Sequence, residues 1–498
     1  TDYNFHWNTD DVWHESSGKA HWKNRPQQDQ PFFAVFNLTM THESRIWPGN
    51  WKGVVKDLPT DKRHRPENVV VPPLYPDTPE VRGAIARLHD IITVMDESVG
   101  KYLQELNEAG LENDTIVFFW SDHGDGFPRA KRWIYDTGTL VPMMVRIPKK
   151  FRVGGQGTPG SVSRDLVSLI DLGPTVLNLA GLPIPANMHG RPFLGQNLPD
   201  SRTYTYGARD RVDERLDMVR SVRDARYRYV RNYNPWRPAL QHINYSERSV
   251  VRKEMRRLLA EGKLAPESAQ FLTAPRPPEE LYDLQVDPWE LHNLAADPAH
   301  GEVLKRLSAE CDRWQLSVRD AHLLPEILLD EEEQKVGSRR QILHAVGGDL
   351  RTQKLLQLAK LSRAPQANDE SVLLQAAATD DPAQRWWAVT GLTALKSPSP
   401  AAQQAVTAAA ADASVAVRIA AARGLHVLGS DAAALNVLTA ALKQDDEFVR
   451  HAALVQLDEM GSAGQAAVPQ VRELVEELRK SRRKLEYAGN VAAHLLGE

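Results

Sequence analysis

Apolar residues keep two different rhythms through the first two hundred positions, and each change of rhythm marks an element. From Arg82 to Ala109, Ile85, Leu88, Ile92, Met95, Val99, Leu103 and Leu106 recur at intervals of three and four, which predicts a helix with one apolar face. Gly110 stands where such a helix stops. Unbroken apolar runs at 32–36, 115–120 and 141–148 predict buried strands instead. The second run ends abruptly at Ser121-Asp122-His123-Gly124. A further amphipathic helix is predicted over 166–180, closed by Gly181. Strands alternating with helices predict an α/β domain over residues 1–200.

Beyond this point the pattern changes twice. Residues 224–231 alternate strictly and predict a half-exposed strand, with 280–284 as its partner and a helix around 303–316 over one face. Together they predict a small α+β subdomain at 201–335. From about 340 the chain becomes rich in alanine and leucine and repeats itself. Asp381, Arg385 and Leu392 recur as Asp412, Arg418 and Leu425, then as Asp446, Arg450 and Leu457, with the arginines 33 and 32 residues apart. These units resemble HEAT-type repeats, which implies an all-α stack of helix pairs over 340–498 and a concave face suited to a protein partner. The acidic run Asp330-Glu331-Glu332-Glu333 marks the junction, and Trp386-Trp387 reads as a plug between domains rather than an exposed contact.

Composition narrows the reading without redirecting it. A chain of 498 residues exceeds the roughly 250–300 at which a single core stops growing, so several domains are expected. A net charge of −4 counts against nucleic acid as a partner, and no apolar run is long enough to predict a membrane span. The single cysteine, Cys311, excludes an internal disulfide and a cysteine-based metal cluster, and its helical context predicts an inert buried thiol. Thr1–Trp7, without an initiator Met or signal core, reads as the middle of a protein.

Chemistry concentrates at strand ends, where open α/β sheets bind their ligands. Asp122 and His123, followed by Gly124, can turn a hard oxygen and an imidazole nitrogen towards one ion. Taken alone, the pair reads more readily as a helix cap at Asp122 and a packed ring at His123. Their context favours chemistry: the 32–36 run leads to His42, and Lys131 follows His123 by eight residues, so both can meet a small anion.

At these residues the chain resembles the sulfatases, members of the alkaline-phosphatase-like superfamily. Pro31-Phe32-Phe33 leading to Thr41-His42 is similar to the segment that carries a histidine to the sulfate. Met95-Asp96-Glu97-Ser98-Val99-Gly100, Gly110-Leu111, Asn113-Asp114-Thr115 and Ser121-Asp122-His123-Gly124 are similar to the family's most recognisable stretch. Asp171-Leu172-Gly173-Pro174-Thr175, His189-Gly190-Arg191 and Glu280-Leu281-Tyr282-Asp283-Leu284 follow in the family's order. The resemblance implies a large mixed sheet flanked by helices. It also implies Asp122 and His123 as ligands of Ca²⁺ (or Mg²⁺), His42 beside the leaving group and Lys131 on the sulfate. The short interval from His123 to Lys131 looks most like the heparan N-sulfatase branch, which implies a sulfated, glycosaminoglycan-like carbohydrate substrate and a periplasmic or secreted setting.

The pattern also departs from the family. No C-x-P-S-R-type motif is present, and Glu310-Cys311-Asp312-Arg313 has neither its proline nor its arginine at the required offset. The resemblance therefore implies that the formylglycine nucleophile lies in a segment upstream of Thr1, and that this polypeptide alone has no turnover. Eight arginines and five acidic residues crowd 209–231, a stretch that reads first as a salt-bridged surface strand with a flanking loop; Arg209 and Arg211, with Trp236 beyond, are the candidates to bind anionic sugar. Two other functions stay open: a phosphonate or phosphate-diester hydrolase on the same scaffold, and a non-catalytic binding protein acting through its repeats.

Overall fold

The computed structural model describes residues 12–480 and 487–497, so the Thr1–Trp7 segment lies outside the described residues. The predicted long helix forms at Pro79–Glu108. Thr78 caps it by accepting from the Val81 N–H, Pro79 opens the first turn, and Gly110 (φ 70°) closes it. Strands β1 (Val117–Trp120) and β2 (Met143–Arg146) follow, paired antiparallel with Val117 opposite Arg146.

Three expectations need correcting here. The 32–36 run is not in a strand, and Phe33 and Val35 are 62% and 42% exposed. β1 is half-buried rather than buried. An apolar run becomes a buried strand only where another strand takes its N–H and C=O groups and another layer covers its side chains, and no neighbour among the described residues does this. The helix expected over 166–180 is shorter, at Leu172–Leu179 behind a 3₁₀ turn.

The α+β subdomain is a four-stranded antiparallel sheet in sequence order, β3 (Thr205–Arg209), β4 (Val219–Arg223), β5 (Tyr227–Asn232) and β6 (Glu279–Asp283). β5 and β6 pair as expected, Tyr229 opposite Leu281. The predicted covering helix is Gly301–Val318, whose Leu307 and Cys311 close a small core with Val222, Tyr229 and Leu281. β5 is buried on both faces rather than half-exposed, because its arginines are paired. Arg231 reaches Asp312 at 2.5 Å and Arg228 reaches Glu290 at 2.7 Å.

Helices Pro382–Ala394, Val415–Val427 and Glu447–Glu459 carry the three repeats. The recurrent Asp and Arg acquire a physical meaning here. Asp381 and Asp446 cap the helices that follow them. Asp381 also takes Arg351 at 2.9 and 3.0 Å, and Asp412 takes Arg385 at 2.7 and 2.8 Å, so an arginine of one unit grips the aspartate of the next.

Cores cross the boundaries read from sequence. The largest runs from Met218 and Tyr233 through Leu323–Leu329 into the repeats as far as Leu495. The acidic run therefore lies in a helix, Glu326–Val336, whose Ile327, Leu328 and Leu329 belong to that core. Trp387 is 1% exposed, packs 6.0 Å from the Tyr233 ring and donates its indole N–H to Leu323 O at 2.7 Å, a plug between sheet and repeats. A second core joins Ile46, Ile85 and Tyr135 to Val219, Val230 and Tyr282, tying the amino-terminal part to the sheet. No helix among the described residues is long and apolar enough to cross a membrane.

Candidate active site

The loop that leaves β1 is folded back on itself by its own backbone. Ser121 Oγ donates to His123 O at 2.6 Å, Gly124 N to Gly138 O at 3.0 Å, and Lys131 N to Asp125 O at 2.9 Å. Glycine is required at two crossings. A Cβ on Gly124 would lie 1.8 Å from Thr137 O, and one on Gly126 would lie 2.1 Å from the Glu43 Cβ.

Lys131 is presented by a strained stretch. Arg129 and Arg132 both adopt left-handed backbone (φ 67° and 76°), which costs on the order of 1–3 kcal/mol each and persists only where the surroundings enforce it. They do so here. Arg129 donates to Trp289 O and Glu290 O at 2.8 Å each and lies against Tyr135 and Phe271. Arg132 forks onto Glu43 at 2.9 and 2.8 Å and reaches Asp213 at 3.0 Å.

Strain and anchoring bring two sequence candidates together: Lys131 Nζ stands 3.4 Å from His42 Nε2 and 3.9 Å from Glu43 Oε1. Partial burial, and then the Lys131 charge, lower the His42 pKa, with Glu43 opposing, so the ring is neutral at pH 7. Nε2 faces the Lys131 ammonium, while Nδ1 stands 3.0 Å from Ser44 Oγ and accepts from the Ser44 N–H at 3.4 Å. Burial alone would raise the Glu43 carboxyl, but the Arg132 hydrogen bonds and charge, with Lys131, hold it below its ordinary value.

Asp122 and His123 sit at the end of β1 as predicted. His123 Nδ1 faces Gly124 O at 2.7 Å and must carry the proton there, leaving the Nε2 lone pair 3.5 Å from Asp122 Oδ2. The Asp122 side chain is 83% exposed. Donor chemistry and tautomer suit one side of a divalent cation. Two side chains do not complete it, since Ca²⁺ takes six to eight oxygens, and no group of three or more His, Cys, Asp or Glu fit to hold a metal occurs among the described residues.

Family comparison now decides the assignment. Residues 8–182 match the sulfatase family model, and 126–245 match the C-terminal model of N-sulphoglucosamine sulphohydrolase. The chain belongs to the sulfatase family. Its last part matches HEAT repeats over 370–458 and 404–488. An ulvan-active sulfatase from Formosa agariphila is 38% identical over 342 residues, 63% of this chain and 56% of that protein. Human N-sulphoglucosamine sulphohydrolase is 30% identical over 342 residues, covering 64% and 66%. The chain thus spans a little over half to just under two thirds of these two relatives. A solved phosphonate monoester hydrolase from Silicibacter pomeroyi is 25% identical over 55% of this chain and 48% of its own, and its TM-score of 0.35 is too low to bear on the argument.

The three candidate sugar contacts are placed elsewhere, and this corrects the sequence reading. Arg209 is 4% exposed, bound to Asp217 at 2.6 Å and donating to Arg132 O at 3.0 Å, so it braces the Lys131 loop. Arg211 is occupied by Glu326 at 2.8 Å and by the ring of Tyr487. Trp236 lies under Arg423 at the seam with the repeats. Ion pairing consumed these arginines, as their acidic neighbours in sequence allowed. Conversely, Glu43 and Arg132 were not singled out, although each adjoins a residue that was.

Proposed function

We propose that the protein is a metal-assisted sulfatase that removes sulfate from carbohydrate, ulvan-like or N-sulfated glucosamine chains being the substrate classes its relatives suggest. The observation that carries this reading is the pairing of Lys131 with a neutral His42, held by the Glu43–Arg132 fork. Lys131 offsets charge on the sulfuryl oxygens, because a cation held in place needs no reorganisation as negative charge builds up. His42 Nε2 faces the leaving oxygen or nitrogen as a hydrogen-bonding partner and, after taking up a proton from solvent, would pass that proton to the leaving group and return to its neutral form. Asp122 and His123 would supply two ligands of a divalent cation, Ca²⁺ or Mg²⁺, which polarises the sulfate when bound.

The nucleophile is proposed to be a formylglycine carried on a segment outside these 498 residues. Cys311 cannot take the role, since it is fully buried and burial pushes its thiol up to about 11. The test is sulfate release from N-sulfated glucosamine and ulvan oligosaccharides, with a phosphonate monoester in parallel. A gene product carrying the formylglycine motif should release sulfate and prefer the sulfated sugars, whereas the 498-residue polypeptide alone should release none. Preferential phosphonate cleavage, or turnover by the polypeptide alone, would overturn the reading.

A further inference from the structure

A cavity at the seam between the sheet and the repeats takes no part in the site above. Its volume is about 80 Å³, room for roughly six water-sized groups at ~10–15 Å³ each. Trp236, Trp386, Ile419 and Phe448 make its walls largely apolar, and Arg423 projects from helix Val415–Val427 among them.

The charges around this cavity do not cancel. Arg237 is bound to Glu459 at 2.5 Å, and Arg211 to Glu326 at 2.8 Å. His451 hydrogen-bonds Glu214 O at 2.9 Å, and burial lowers it to about 4, so it is neutral. Arg423 remains. Among the described residues its guanidinium has no hydrogen bond and no carboxylate within 4.0 Å; the Trp236 ring lies 4.0 Å beneath it, and the Glu459 carboxylate held by Arg237 acts on it from further away. Burial has already lowered its pKa to about 10. The Trp236 indole N–H is likewise buried without an acceptor. A half-buried cation without an ion-pair partner, set among apolar walls, costs free energy that an anion would recover.

We infer that this cavity binds a small oxyanion, a sulfate or carboxylate group, with the Arg423 guanidinium as its donor and the Trp236 indole beside it. Inorganic sulfate and the anionic group of a sugar acid share that chemistry, and the apolar walls would face the body of the second. The inference does not depend on the sulfatase reading, because none of its residues belongs to the Lys131 site. It would give the repeat stack a ligand of its own, bound across the seam.

The experiment is thermal unfolding of the full chain with millimolar sodium sulfate or methyl glucuronide, against sodium chloride at equal ionic strength, together with phenylglyoxal labelling of Arg423 read by mass spectrometry. Stabilisation by at least one anion, with labelling of Arg423 slowed about twofold or more, is expected. R423Q should abolish the stabilisation without lowering the unliganded melting temperature, since it removes an unpaired cation. Stabilisation by sulfate alone would assign the site to the free ion, and by the glucuronide alone to the sugar acid. Equal stabilisation of R423Q, or unprotected Arg423 in both anions, would overturn the inference. Should R423Q fail to fold, the labelling of the unaltered protein decides.

Discussion

In the repeat stack, Leu355, Leu392, Leu425 and Leu457 are at most 3% exposed, each inside a core shared between helices. Helix Pro79–Glu108 has an apolar stripe of equal regularity, yet its Ile92 and Leu103 remain 40% and 37% exposed. Nearby, Phe33, Trp120 and Met144 are open to solvent at 62%, 37% and 60%. Periodicity dictates which face of an element seeks cover, but cover comes only from another layer. A stack supplies its own layers one repeat at a time, whereas a two-stranded ribbon such as β1–β2 has a single neighbour and is marginal by itself.

This contrast can be broken most forcefully at the plug. Trp387→Ala should cost about 3–5 kcal/mol, from a cavity where sheet and repeats meet and from loss of the bond to Leu323 O. Denaturant unfolding followed by circular dichroism would measure it, and a cost below 1 kcal/mol would mean that the seam is not a shared core. Next comes Asp217→Ala, which strands Arg209 and Arg276 in the interior and should cost about 3 kcal/mol. Because Arg209 donates to Arg132 O, this variant should also loosen the Lys131 loop, visible as faster amide exchange over 129–133.

A smaller effect should follow from pH. Burial, and then the charge of His494, lower His242 to about 4, its ring 3.7 Å from the His494 ring across the seam, and burial lowers His451 to about 4. Both fold best unprotonated. Between about pH 6.5 and 4 the unfolded chain binds more protons than the folded one, so their contribution is complete above the unfolded value and lost as pH falls towards 4. About 2 kcal/mol per histidine is expected after allowing for screening. A melting temperature that holds steady across this window would refute it. At the bottom of the scale, Phe33→Ser and Met144→Ala should change stability by no more than about 0.5 kcal/mol, since Met144 stands mostly in solvent and Phe33, stacked on the Trp13 ring, is otherwise open.

Much of this molecule was legible in its sequence, for reasons the same contrast explains. Pattern-based signals survived: the apolar period of the long helix, the strand character of β5 and β6 that let them pair, the Asp–Arg repeat, and the placing of His42 and Lys131 near one another. What failed depended on partners that the pattern of a segment does not name, whether near or far along the chain. The 32–36 run looked like a strand because its composition suits one, but pairing is not a property of the run. Arg209 and Arg211 looked like sugar ligands because charge alone does not reveal that Asp217 and Glu326 already hold them. The Glu43–Arg132 fork joins residues 89 positions apart and could be reached only by asking what stands beside each candidate.

The most direct test of the central claim is kcat/KM for release of sulfate from an N-sulfated or ulvan saccharide by the formylglycine-bearing gene product, unaltered and as Lys131→Ala. If Lys131, backed by the Glu43–Arg132 fork and paired with His42, meets the sulfuryl group, the variant should lose a factor of about 100 or more. An unchanged kcat/KM would contradict the account and leave this cluster a structural feature of the loop.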